Sequence, residues 1–182
     1  ENKDQRYKEA KILFQKKEWA KAKNKLLALQ NQAPDSVEAK RARFLLALIH
    51  VEQEKPEEAI KLLEPLIKNY DDVGDYIRFH LIRAQAQAGK YKEAKENALK
   101  FLQHSTKTLL YPKVQLLLAE AQIQLGGKEA GMKTLEETIL ITTKDFRYQK
   151  FREFLPEMIF KLAEIQEKLG KQTEAYLNFR QL

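Results

Sequence analysis

Side chains able to do chemistry are few in this 182-residue chain, and they stand apart. No cysteine is present, which excludes disulfides, Cys-ligated zinc and thiol nucleophiles. His50, His80 and His104 form no His-x-x-x-His pair, so a histidine metal site is not expected. Serine occurs only at Ser36 and Ser105, with no nucleophile elbow and no Gly-rich phosphate loop. The acid pairs Glu57-Glu58 and Glu136-Glu137 have the spacing of solvated helix faces. We therefore expect no catalytic residue, no metal and no cofactor, and look to binding.

Charge narrows the partner. The formal net charge is +7, and residues 1–34 carry nine Lys and Arg against four Asp and Glu. An anionic partner is one reading of that excess. Lysine dominates it, however, whereas specific phosphate or base readout favours arginine. Nucleic acid is accordingly not the expected partner. No apolar run approaches the ~20 residues that span a bilayer, so membrane insertion is not expected either.

The elements that must position a binding face are helices. Six Gly and five Pro are few, and Leu, Ala, Lys, Glu and Gln are good helix formers. Residues 112–126 and 156–170 align with seven of 15 identities at an offset of 44. A fainter repeat puts small residues at Ala22, Ala59, Ala94, Gly131 and Ala175, spaced 37, 35, 37 and 44. A short turn precedes each, and before each turn lies an apolar run of i, i+3, i+4 spacing such as Ala10, Leu13 and Phe14. The reading is all-α, with ten helices in five antiparallel pairs: 3–17/19–32, 36–53/56–69, 75–88/91–103, 109–125/128–141 and 150–169/172–182. Asp35 with Glu38 suggests a capping box, and Pro65 suggests a kink. Small residues let helices approach closely, while Leu26, Leu63, Leu135 and Phe179 are expected to fill between pairs.

The stretch Ala10-x-x-Leu13-Phe14-x-x-x-x-Trp19-x-x-Ala22-x-x-x-Leu26-x-x-Leu29-x-x-x-x-Pro34 resembles the tetratricopeptide repeat, as does Gly89-Lys90-Tyr91-Lys92-Glu93-Ala94. The resemblance covers essentially the whole chain. It implies one α-solenoid domain over 1–182, a right-handed superhelix with units near 3–34, 36–70, 74–104, 108–142 and 146–182. It also implies a non-catalytic scaffold that binds a partner protein or peptide in a concave groove lined by the first helices. Transferred positions place Lys11, Gln15, Arg41, Phe44, Tyr76, Phe79, Arg83, Gln87, Glu120 and Gln124 on that face. Tyr7, Leu48, Lys113, Leu116, Phe160, Glu164 and Lys168 complete it. Of the positions that clamp acidic chaperone tails in this family, only Lys11 has a suitable residue, so that partner class is not expected.

A narrower resemblance runs through Gly74-Asp75-Tyr76-x-x-Phe79-x-x-x-x-Ala84, Gly89-Lys90-Tyr91-x-x-Ala94 and Ser105-x-x-x-Leu109. These residues look like the N-terminal superhelical region of bacterial soluble lytic transglycosylases. That resemblance implies an accessory domain in the periplasm or cell envelope, with a catalytic domain beyond residue 182. The chain starts without Met and stops inside a helical pattern, which suggests a fragment of something longer. Apolar Tyr176, Leu177 and Phe179 at that end suggest packing on another chain or on further repeats.

Overall fold

A computed structural model describes residues 3–32, 34, 36–69, 74–105 and 108–182. Its first helix pair is α1 (Lys3–Gln15) and α2 (Trp19–Gln32), and its second is α3 (Val37–Glu52) and α4 (Pro56–Asn69). Then follow α5 (Gly74–Gln87), α6 (Tyr91–His104), α7 (Tyr111–Gln124) and α8 (Lys128–Lys144). After a 3-10 helix over Phe146–Phe154 come α9 (Leu155–Lys168) and α10 (Gln172–Phe179). Among the described residues there is no strand, so the fold is all-α as expected.

Each turn inside a pair is built the same way. One residue takes the left-handed backbone conformation: Lys17 (φ 58°), Glu54 (φ 55°), Gly89 (φ 72°), Gly126 (φ 85°) and Gly170 (φ 76°). Each lies five positions before the repeat's small residue. Four of these turns show the paired hydrogen bonds that close a helix C-terminus. The Lys17 amide donates to the Phe14 carbonyl at 2.9 Å, and the Glu18 amide to the Leu13 carbonyl at 2.9 Å. Glu54/Lys55, Gly126/Gly127 and Gly170/Lys171 repeat the pattern.

A side chain in this conformation brings its Cβ close to the following carbonyl, at a cost of roughly 1–2 kcal/mol. A Cβ added at Gly89, Gly126 or Gly170 would meet nothing within 4 Å, so any penalty there is conformational alone. We therefore expect Gly126→Ala to lower stability by about 1 kcal/mol. Lys17→Gly and Glu54→Gly should leave stability unchanged or raise it by up to about 1 kcal/mol, because added chain entropy offsets part of the relief. Urea midpoints of the three variants check this, and destabilisation by Lys17→Gly would contradict it.

The small residues Ala22, Ala59, Ala94, Gly131 and Ala175 are all buried. The large residues expected between pairs are buried at Leu26, Leu63 and Leu135. Phe179 differs, remaining partly exposed with its ring edge-on to Phe160 at 5.8 Å, because no described helix other than α9 packs over α10. Tyr176 and Leu177 beside it are exposed too. The cap of α3 is Ser36, whose Oγ accepts from the Ala39 amide at 3.1 Å, whereas Asp35 lies outside the described residues. Helix α4 runs through Pro65, which sits on its exposed side.

The chain divides into two compact units, residues 1–88 and 89–182, with the boundary at the Gly89 turn. In the first unit, α1 packs on α2, α2 on α3, α3 on α4 and α4 on α5, while α3 also touches α1 and α5. Its core has one cluster around Ala10, Leu26, Leu29 and Ile49, and another around Val51, Leu63, Ile77 and Leu81. In the second unit, α6 packs on α7, α7 on α8, α8 on α9 and α9 on α10. Leu135, Leu162 and Ile165 centre its core.

The long last spacing has a specific cause. Residues 150–154, expected to open the ninth helix, belong instead to the 3-10 helix. With three residues per turn, positions three apart lie on one face. Tyr148, Phe151 and Phe154 fall on such a face and turn inward, while the other six residues are exposed. The inward rings run on from Tyr111, with centroids 6.3 Å, 6.5 Å and 6.4 Å apart in sequence. The Lys113 ammonium lies 5.3 Å and 5.5 Å from the Phe151 and Phe154 ring centres.

Candidate partner-binding site

The second unit holds a cleft of about 170 Å³ between α7 and α9. Its apolar lining is Leu116, Ala119, Ile123, Leu135 and Ile165. Its polar lining is Glu120 and Gln124 from α7, with Lys161, Glu164 and Lys168 from α9. An apolar floor under a few convergent polar groups is the usual make-up of a recognition site. Helical spacing explains the arrangement, since Leu116, Glu120, Ile123 and Gln124 stand at i, i+4, i+7 and i+8 on one stripe. Lys161 is drawn to Glu157 at 3.3 Å.

Glu120, Gln124, Leu116, Glu164 and Lys168 were all expected from the sequence on one face, and the structure brings these five together. Lys113 and Phe160 do not join them. The first sits on the Phe151 and Phe154 rings, and the second meets Phe179. Sequence reasoning missed Ile123, Lys161 and Ile165. Ile123 and Ile165 carry an ordinary core signal, which does not reveal that a buried edge also floors a cleft.

In the first unit the expected residues lie on α1, α3 and α5. Lys11 and Gln15 are exposed on α1, and Arg41 is exposed on α3. Phe44 is half-buried, packed against the core, with its ring 5.8 Å from that of His80 on α5. The His80 ring stands 5.0 Å from Phe79. Arg83 on α5 pairs with Glu52 on α3 at 3.2 Å, which ties the two helices. Tyr76 is exposed along more than half its surface, and Gln87 is exposed at the end of α5.

Polar clasps fix the pairs of the second unit. Thr134 Oγ1 donates to Gln122 Oε1 at 2.8 Å, and Asn178 Nδ2 donates to Gln166 Oε1 at 2.7 Å. Gln122 and Gln166 are equivalent positions of the internal repeat. In the second helix pair His50 holds that position, and Leu62 stands where Thr134 and Asn178 do, leaving no polar partner there. The His50 Nδ1 is buried with no hydrogen-bond partner among the described residues.

Burial holds the His50 pKa below the ordinary histidine value, and Lys23 and Lys55 push the same way, against Glu58. The folded chain thus favours neutral imidazole, while the unfolded chain takes up a proton near pH 6.5. Stability from this group is present above that pH and is lost as pH falls through the lowered folded value. We expect the urea midpoint to drop between pH 7.5 and 5.5, and His50→Gln to flatten that drop. An equal drop in both proteins would contradict the assignment.

The family described as tetratricopeptide repeat matches residues 7–73 and 44–96. Residues 7–96 of this chain are tetratricopeptide repeats. Among solved structures, the repeat protein resembles the apo form of RapI at TM-score 0.85 and 14% identity, over 98% of this chain and 68% of that one. It resembles MamA (residue 41 to the end) from Desulfovibrio magneticus RS-1 at TM-score 0.81 and 9% identity, over 100% and 93%. Pseudomonas aeruginosa PilF follows at TM-score 0.75 and 15% identity, over 98% and 73%. At such identities the likeness is one of fold. No curated protein sequence matches the chain. Tetratricopeptide-repeat proteins are in general non-catalytic interaction scaffolds, and no group of His, Cys, Asp or Glu among the described residues could hold a metal. No described helix is long and apolar enough to cross a membrane.

Proposed function

We propose that this tetratricopeptide-repeat protein binds a segment of a partner protein on the faces of its first helices. The observation that carries the reading is the α7–α9 cleft, an apolar floor with Glu120, Gln124, Glu164 and Lys168 around it. Its volume suits one or two side chains of an extended segment rather than a whole domain. Tyr76, Phe79 and Arg83 on the first unit offer aromatic and guanidinium groups of the kind that dominate binding energy. The alternative role, as accessory domain of a cell-wall lytic enzyme, draws no support from the comparisons.

A photo-crosslinking residue at Gln124 tests the reading, with a second at Lys133 on the exposed side of α8 as control. The expected result is one partner peptide crosslinked from Gln124 and not from Lys133. Its capture should fall at least about tenfold with Glu120→Lys plus Glu164→Lys, the loss of one or two well-placed contacts. Equal crosslinking from both sites, or capture indifferent to the double substitution, would sink the groove assignment.

A further inference from the structure

The 3-10 helix is extra to the repeat. Among the described residues no other joint between pairs carries such a helix, and the last spacing exceeds the rest by about its length. It is nevertheless firmly built. One of its faces is locked by the Tyr111–Tyr148–Phe151–Phe154 row, and Arg152 donates to the Thr143 carbonyl at the end of α8 at 2.8 Å.

What this scaffold displays is unusual for a surface. Phe146 is 81% exposed, more than any other large apolar residue described. Leu140, half exposed, lies beside it along a shallow open depression. Lys144 borders the same depression, and Lys150 and Arg152 are exposed on the 3-10 helix. Of the two local carboxylates, Asp145 is occupied by Arg147, with Nη2 to Oδ2 at 2.5 Å, and Glu153 is the other. Glu136 and Glu137 stand a turn earlier on α8 and are also exposed.

We propose that this segment is a docking surface for an anionic lipid bilayer. A projecting aromatic ring beside an aliphatic one, with Lys144 at their edge and further cations on the same short segment, matches the boundary between acyl chains and acidic headgroups. The depression at its side is open rather than a socket, so the ring needs a partner that deforms around it. A bilayer interface does so, whereas a folded acidic protein would need a preformed pocket. Attachment of this kind is peripheral and reversible.

Cosedimentation of the whole chain with vesicles of phosphatidylcholine and phosphatidylserine (7:3), against phosphatidylcholine alone, tests it. Binding is expected to the mixed vesicles only, weakening as salt rises. Phe146→Ser, and separately Lys144→Glu with Lys150→Glu, should each lower the partition coefficient by about fivefold or more. Both variants change exposed side chains, and an unchanged far-ultraviolet circular dichroism spectrum and urea midpoint exclude a folding defect. No binding to mixed vesicles overturns the proposal. So does binding that both variants keep but that Lys16→Glu with Lys17→Glu abolishes, which would assign it to the basic first pair. Capture of a Glu- and Leu-rich peptide through Phe146 without vesicle binding also overturns it, in favour of an acidic protein partner.

Discussion

Tyr148→Ala is expected to cost the second unit about 3–5 kcal/mol, the range for removing a large buried aromatic side chain. Tyr148 is 2% exposed, the largest of the fully buried side chains. It stands between Tyr111 and Phe151 in the aromatic row, with the Arg147 guanidinium 5.4 Å from its ring centre. Burial also raises the pKa of its phenol, with the Arg147 charge acting the other way, so the ring stays neutral at ordinary pH. Collapse into the void is hindered because the neighbouring rings are carried by the same short helix and by the start of α7. Hydrogen exchange should show the loss within residues 89–182, and urea unfolding should give its size. Phe146→Ala, on the same helix but almost fully exposed, is the internal control and should change stability by less than about 0.5 kcal/mol. Equal effects of the two would show that the 3-10 helix is not packed as described.

Gly131→Ala comes second. A Cβ there would stand 2.5 Å from Ile123 Cγ1 and 3.0 Å from the Ala119 carbonyl oxygen. The isoleucine can turn, but the carbonyl is part of the α7 backbone. Alanine is otherwise the better helix former by about 1 kcal/mol, so the sign depends on which effect wins. Overlap as deep as 2.5 Å forces α7 and α8 apart or drives Ile123 off its rotamer, at typically 1–3 kcal/mol, and we expect net destabilisation. Gly131→Leu should be worse still. Adding Ile123→Ala to Gly131→Ala removes the atom that clashes, and the pair should then cost less than the sum of the two single changes. Strict additivity in a double-mutant cycle would mean the helices relax elsewhere. Ala22, Ala59, Ala94 and Ala175 hold the same repeat position with a methyl group, so only the α7–α8 pair demands glycine there.

Much of this architecture could be read from the chain before any coordinates. The five small residues, the turns ahead of them and the apolar runs before those located ten helices to within a few residues. The ninth was the exception. The helix expected from the sequence opened at 150, and Tyr148, Phe151, Phe154 and Leu155 are spaced by three, three and one, which an α-helical stripe also satisfies. Nothing in residue types separates three residues per turn from 3.6 over so short a stretch. Lys17 and Glu54 hid the turn geometry for another reason: the left-handed conformation shows itself in sequence when it falls on glycine, and here the surrounding helix pair imposes it on long side chains. Of the candidate face, Glu120 and Gln124 were legible because their stripe was. The Arg83–Glu52 pair was not, because it joins helices separated by a full repeat unit.

The left-handed turn residue and the small residue after it keep one fixed separation in all five pairs, while the distance from pair to pair varies. A helix pair is thus a sealed cassette, and the joints between cassettes are where this chain tolerates changes of length. The nine residues of the 3-10 helix sit at such a joint. Excising them would leave a pair-to-pair distance equal to the shortest the chain already uses. Such joints allow a repeat protein to acquire a new surface without redesigning its core, and they mark where a foreign loop could be grafted.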